Sequence, residues 1–168
     1  MDTFPPDTLR GRDLIYFKLH GLKDEPYWYG DNWETALHVS VFDNLKLPNT
    51  IIFVANCFFA ESPFLKAILE TGATVIGGNG ENFAQGTALI GADLLGRSFR
   101  QALQRGARPA RALRLAKLYL TGKTTLLKRS ANRATNDKRK SHLKALAAAN
   151  QDTLGFQIYT QDSILPAS

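Results

Sequence analysis

Three short apolar runs, each stopping at a turn, constrain this chain more than any other feature. Leu14-Ile15-Tyr16-Phe17-Lys18-Leu19 ends at His20-Gly21, Thr50-Ile51-Ile52-Phe53-Val54-Ala55 runs into Asn56-Cys57, and Ala73-Thr74-Val75-Ile76 is closed by Gly77-Gly78-Asn79-Gly80. Runs of this length, rich in β-branched and aromatic residues, read as buried strands. Between the second and third, Ser62-Pro63 offers an N-cap followed by proline at the first helical position. Phe64, Leu65, Ile68 and Leu69 follow at helical spacing as far as Gly72, which predicts a helix over 63–71.

Elsewhere the pattern is mostly helical. Leu89, Ala92, Leu95, Phe99 and Leu103 share one face of a helix predicted over 84–104, and a second is predicted over 109–120. A further helix is read over 142–151 and a last strand over 154–159. Residues 1–12 are turn-rich, and 22–33 read as a loop dense in aromatic and acidic residues. Residues 34–44 read as a short helix, with Val39, Val41 and Phe42 leaving a strand open. Residues 123–141 are basic and poorly periodic and read as a loop. Strand, helix, strand, helices, strand is the order of an α/β protein with a parallel sheet and helices on its faces.

In such sheets the ligand crevice lies beyond the carboxyl ends of the strands. His20 and Cys57 each stand at such an end, so neighbouring strands would bring them to one crevice across 37 residues of chain. Alone, a cysteine after an apolar run or a single histidine is more often structural than chemical. Together, a thiol and an imidazole at strand ends are the parts of a thiolate nucleophile and its acid–base partner. Gly21 lacks a β-carbon, so its amide can approach a substrate carbonyl closely.

The bulk properties narrow the classes. The chain has 168 residues, 44% hydrophobic and 21% charged, the composition of a globular protein rather than of a disordered one. Its single cysteine excludes an internal disulfide and fits a reducing compartment. No basic segment followed by an apolar run opens the chain, and no stretch approaches 18 consecutive apolar residues; a cytoplasmic, non-membrane protein is expected. The formal charge of +6 is a weak pointer to anionic partners. Lys123, Lys128, Arg129, Arg133, Lys138, Arg139, Lys140 and Lys144 have no aromatic interleaved, which removes a stacking platform for single strands. A solvated segment is expected there rather than a nucleic-acid surface, and His38 and His142 are read as surface or core histidines.

The blocks Asp13-Leu14-Ile15-Tyr16-Phe17-Lys18-Leu19-His20-Gly21 and Ile51-Ile52-Phe53-Val54-Ala55-Asn56-Cys57 resemble the two signature blocks of the caspase-like (clan CD) cysteine peptidases. The resemblance is greatest to the gingipain-type branch, which is related to CHAT domains. Trp28-Tyr29-Gly30, residues 64–73, Gly91-Ala92-Asp93-Leu94-Leu95-Gly96-Arg97, the helix over 110–117 and the closing stretch 156–165 fit it too. The likeness runs over residues 13–165.

It implies a caspase-like, mostly parallel sheet with helices on both faces. It also implies a thiol protease with His20 and Cys57 as catalytic residues, backbone amides of Gly21 and Cys57 for the oxyanion, and no cofactor or metal. The substrate would be a protein or peptide. Among loop residues, Asp24, Glu25 and Glu81 are candidates to attract a basic substrate side chain, with Trp28 or Asn79 as pocket wall. Phe58-Phe59 stands where the branch often has Tyr-Gly, and is expected to narrow the cleft; Ser163 stands where proline is common. Only about 12 residues precede the histidine strand, so a domain without the family's first strands is expected here. The expectation is the carboxyl-terminal part of a longer domain, completed or activated by a partner or a missing N-terminal segment. Alternatives are a non-catalytic caspase-like scaffold for protein interaction and a basic nucleic-acid-binding module.

Overall fold

The apolar runs form strands, and the first two lie side by side. In the computed structural model, which describes residues 4–82 and 89–164, the chain divides into two compact units, residues 1–81 with 156–168 and residues 82–155. The first unit holds β1 (Leu14–Phe17), β2 (His20–Gly21), β3 (Tyr27–Tyr29), β4 (Thr35–His38), β5 (Ile51–Val54), α1 (Pro63–Glu70), β6 (Thr74–Gly77) and β7 (Gln157–Tyr159). One sheet has the order β1-β5-β6-β7; its first three strands are parallel and β7 is antiparallel to β6. The architecture is therefore α/β with a mostly parallel mixed sheet. A small antiparallel sheet, β2-β3-β4, follows directly from β1.

Parallel pairing puts partnered residues on the same face. Ile15, Ile52 and Val75 are aligned, as are Phe17 and Val54, and this face meets Phe64, Ile68 and Leu69 of α1. Ile52, Phe53, Val54, Val75 and Ile76 are all 0–1% exposed, so the central strands are buried on both faces, which explains why their sequence runs rather than alternates. Pro63 opens α1 as expected, and Gly72, at φ +85°, ends it in the left-handed region that glycine tolerates. Ser62 takes the N-cap position without capping: its hydroxyl donates back to the Phe59 carbonyl at 2.8 Å and closes the preceding turn.

Three expectations in this unit are corrected. Residues 22–33 are not all loop: Tyr27–Tyr29 form β3, paired on both sides with β2 and β4. Residues 34–44 are not a helix: Thr35–His38 form β4, and Val39–Phe42 form one 3-10 turn. That turn is capped by His38, whose Nδ1 accepts the Ser40 backbone N–H at 3.3 Å. The last strand is Gln157–Tyr159, shorter than 154–159, because the helix before it runs on to Thr153.

The second unit is helical: α2 (Gly91–Gln104), α3 (Pro109–Arg133) and α4 (Asp137–Thr153). The predicted start of the helix over 84–104 lies, for residues 84–88, outside the described residues. The basic loop over 123–141 is contradicted. Residues 123–133 continue α3 and 137–141 open α4, with a turn at 134–136 between them. Thr121, Thr124 and Thr125, poor helix formers by composition, donate their hydroxyls to carbonyls four residues back at 2.9, 2.8 and 3.0 Å. Thr124 and Ala131 are buried, and Asn136 caps α4 by accepting the Arg139 N–H at 3.0 Å. Buried Asn150 accepts the Gly91 N–H at 2.8 Å and so ties α4 to the start of α2. Among the described residues, no helix is long and apolar enough to cross a membrane.

Candidate functional site

Because β1 and β5 are neighbours, the segments that follow them leave the sheet at the same edge. The Ala55 N–H donates to the Phe17 carbonyl at 2.8 Å, carrying the pairing one step past the strands. Next, the side chain of Asn56, wholly buried, accepts the Leu19 N–H through Oδ1 at 2.8 Å. The sequence analysis assigns Asn56 no role; the signal available is a polar residue closing a run that is otherwise apolar. One residue further on, a β-carbon at Gly21 would stand 2.5 Å from the carbonyl oxygen of Cys57. His20-Gly21 and Asn56-Cys57 are therefore in direct backbone contact.

His20 is exposed and sits in β2 opposite Tyr29. Its imidazole is stacked on the indole of Trp33, with ring centroids 4.8 Å apart and planes within 13°. Trp33 itself is 57% exposed, and its backbone lies in the left-handed region at φ +61°, uncommon for a bulky residue. The turn that imposes this is held by three bonds. Gly30 N–H donates to the Glu34 carbonyl at 2.9 Å, Trp33 N–H to the Gly30 carbonyl at 3.1 Å, and Asn32 N–H to Glu34 Oε2 at 2.9 Å. Trp33 is the residue that sequence reasoning missed; the 22–33 segment read as loop gave no sign that its last aromatic would fold back onto His20.

Cys57 is half-buried, and Phe58 after it turns the chain in the left-handed region at φ +52°. Phe58 N–H donates to the Gly80 carbonyl at 3.0 Å and Ala60 N–H to the Gly78 carbonyl at 3.1 Å. These bonds strap the loop after β6 to the turn that carries Cys57, so Asn79, exposed between the two acceptors, stands at its rim with Glu81. Asp24 is also exposed, and its N–H donates to the Glu61 carbonyl at 3.3 Å, which ties the loop after β2 to the same turn. Beside it, Lys23 pairs with Glu61 at 2.8 Å; the hydrogen bond and charge of Glu61 hold this ammonium above the usual lysine range, though exposure makes such a pair weak.

Two expected features are absent from the rim. Trp28 is 1% exposed and stacked on Phe64 at 3.9 Å, so it is core and not a pocket wall. Its strand alternates in burial, with Trp28 pointing inward between half-buried Tyr27 and Tyr29. Phe59 does not narrow a cleft: it is fully buried against Trp28, Tyr159 and the glycine surface of Gly77. His142 is exposed on α4, and no group of three or more His, Cys, Asp or Glu able to hold a metal occurs among the described residues.

The basic residues from Lys123 to Lys144 lie on the hairpin of α3 and α4. No family model, no curated protein and no solved structure matches the chain.

Proposed function

We propose that this chain is a cysteine endopeptidase of caspase-like, gingipain-type architecture that works through His20 and Cys57. The observation that carries the reading is the parallel pairing of β1 with β5, which sets an imidazole-bearing and a thiol-bearing segment against each other beyond the strand ends. Cys57 is only half-buried, consistent with the access a nucleophile requires.

In this reaction the Cys57 thiolate adds to the scissile carbonyl carbon, and the carbonyl electron pair moves onto oxygen. Backbone amides of Gly21 and Cys57 hold that oxyanion, worth about 3 kcal/mol per donor. Collapse breaks the C–N bond; the amine leaves with a proton from the His20 imidazolium, and a thioester on Cys57 remains. His20 then takes a proton from water, whose oxygen attacks the thioester and releases the carboxylate product and the thiolate. Stacking on Trp33 fixes the plane of the His20 ring for both transfers.

Asp24, Glu25 and Glu81 favour a substrate with a positive side chain near the scissile bond, and Asn79 offers a polar rim contact. The resemblance in the sequence further implies activation by a partner or an N-terminal segment. Cleavage of a peptide library by the wild type, Cys57→Ala and His20→Ala tests the reading. Both substitutions are expected to lower cleavage by about 100-fold or more; cleavage that persists in both refutes it.

A further inference from the structure

Helix α3 is apolar on two sides, and the fold uses one of them. Ala112, Leu113, Ala116, Leu120, Thr124 and Ala131 are buried along one side. Turned away from these, Leu115, Leu118, Tyr119 and Leu126 stand 42%, 63%, 48% and 56% exposed. With Gly122 they recur at i, i+3, i+4, i+7 and i+11, the spacing of a single helical stripe. Scattered exposed apolar residues are ordinary, but a contiguous stripe of large ones marks an interaction surface.

The stripe is not flat throughout. At one end it enters a groove of about 560 Å³ between the end of α2 and the first half of α3, floored by Ala102, Leu115, Ala116 and Tyr119 and edged by Arg105 and Arg111. Beyond the groove the stripe continues on the open face of α3 itself, where Leu118 and Leu126 stand on either side of Gly122 beside Lys123 and Arg129. The rims are of one sign. Helix α3 carries seven Lys and Arg and no Asp or Glu, and residues 82–155 hold 15 basic against 3 acidic residues. A second α3 laid on this surface would meet like charge. Nucleic acid would answer the charge and leave the leucines bare, and a flat bilayer would leave the groove between α2 and α3 unfilled.

We infer that the groove between α2 and α3, together with the apolar stripe of α3 that continues from it, is a docking site for an acidic amphipathic helix of another protein. Its apolar side covers Leu115, Leu118, Tyr119 and Leu126, and its carboxylates meet Arg105, Arg111, Lys123 and Arg129. From Leu115 to Leu126 the stripe spans about 17 Å at the helical rise, which suits a partner helix of three to four turns. The inference rests on residues 82–155 alone and is independent of the reading of His20 and Cys57.

The test is fluorescence anisotropy with the full chain and a labelled, designed helical peptide bearing Leu and Phe at i, i+3, i+4 and i+7 and Glu elsewhere. Comparison probes are a scrambled peptide of the same composition, a DNA duplex and vesicles containing anionic phospholipid. The helical peptide is expected to bind about tenfold or more tightly than the scrambled one. Leu118→Ser with Leu126→Ser, and separately Lys123→Glu with Arg129→Glu, are each expected to weaken it by about tenfold. These side chains are exposed, so circular dichroism should show the fold unchanged. Equal binding of the scrambled peptide, binding that ignores the leucine substitutions, leucine-dependent binding of duplex or vesicles in place of the peptide, or a leucine-dependent dimer would each overturn it.

Discussion

Gly21 has no room for a methyl group, because the carbonyl of Cys57 occupies the place where a β-carbon would stand. Gly21→Ala must therefore part the two strand ends, and we expect it to cost about 1–3 kcal/mol in urea unfolding and to depress peptide cleavage with it. The two tryptophans separate stability from chemistry. Trp28→Ala opens the core beside Phe64 and should cost about 3–5 kcal/mol, leaving the residue preference of cleavage unchanged. Trp33→Ala removes an exposed stacking partner, with a stability change of about 1 kcal/mol or less. Its kcat/KM should nevertheless fall by about tenfold, with Trp33→Phe restoring most of it. At this scale the placement of His20 and Cys57 beyond neighbouring strands was legible, since a strand end can be read from an apolar run and its stop. The exchange of roles between Trp28 and Trp33 was not: which tryptophan points inward depends on strand alternation and on a left-handed turn, neither visible in a segment that reads as loop.

At the scale of elements, β1, β5, β6 and α1 were readable because each is a contiguous apolar run or a capped helical repeat. The strands β2, β3 and β4 span two to four residues, and their pairing shifts register between Trp28 and Tyr29, too little pattern for a period to emerge. Helix α3 was underestimated for a different reason: its threonines satisfy their hydroxyls on their own helix, and its second half takes its stability from packing on α4 rather than from propensity. Limited trypsin digestion checks this. The first cut in this region should fall after Arg133, where α3 ends, and early cuts after Lys123 or Lys128 would restore the loop. On β7, burial raises the ionisation of Tyr159 above the usual tyrosine range. Above about pH 10 the unfolded chain then releases this proton before the folded one does, so stability should decline as pH rises through that region. Tyr159→Phe should flatten the alkaline limb of thermal unfolding against pH.

For the whole molecule, charge is divided as sharply as structure. Residues 1–81 with 156–168 hold 6 basic against 12 acidic residues, while residues 82–155 hold 15 against 3, so the chain's +6 conceals two opposite surfaces. Arg105, Arg111, Lys123 and Arg129 of the basic share edge the exposed stripe of α3, and Asp24 and Glu81 of the acidic share lie in the loops near Cys57, a division that net charge alone cannot express. Under the proposed function Cys57 forms a covalent acyl intermediate. Acid-quenched turnover of a peptide ester with a basic residue at the scissile bond, followed by mass spectrometry, reads this directly. An acyl adduct is expected on the tryptic peptide 47–66 of the wild type and none in Cys57→Ala, together with loss of ester hydrolysis. Hydrolysis that continues unchanged in Cys57→Ala, with no adduct on that peptide in the wild type, would contradict it.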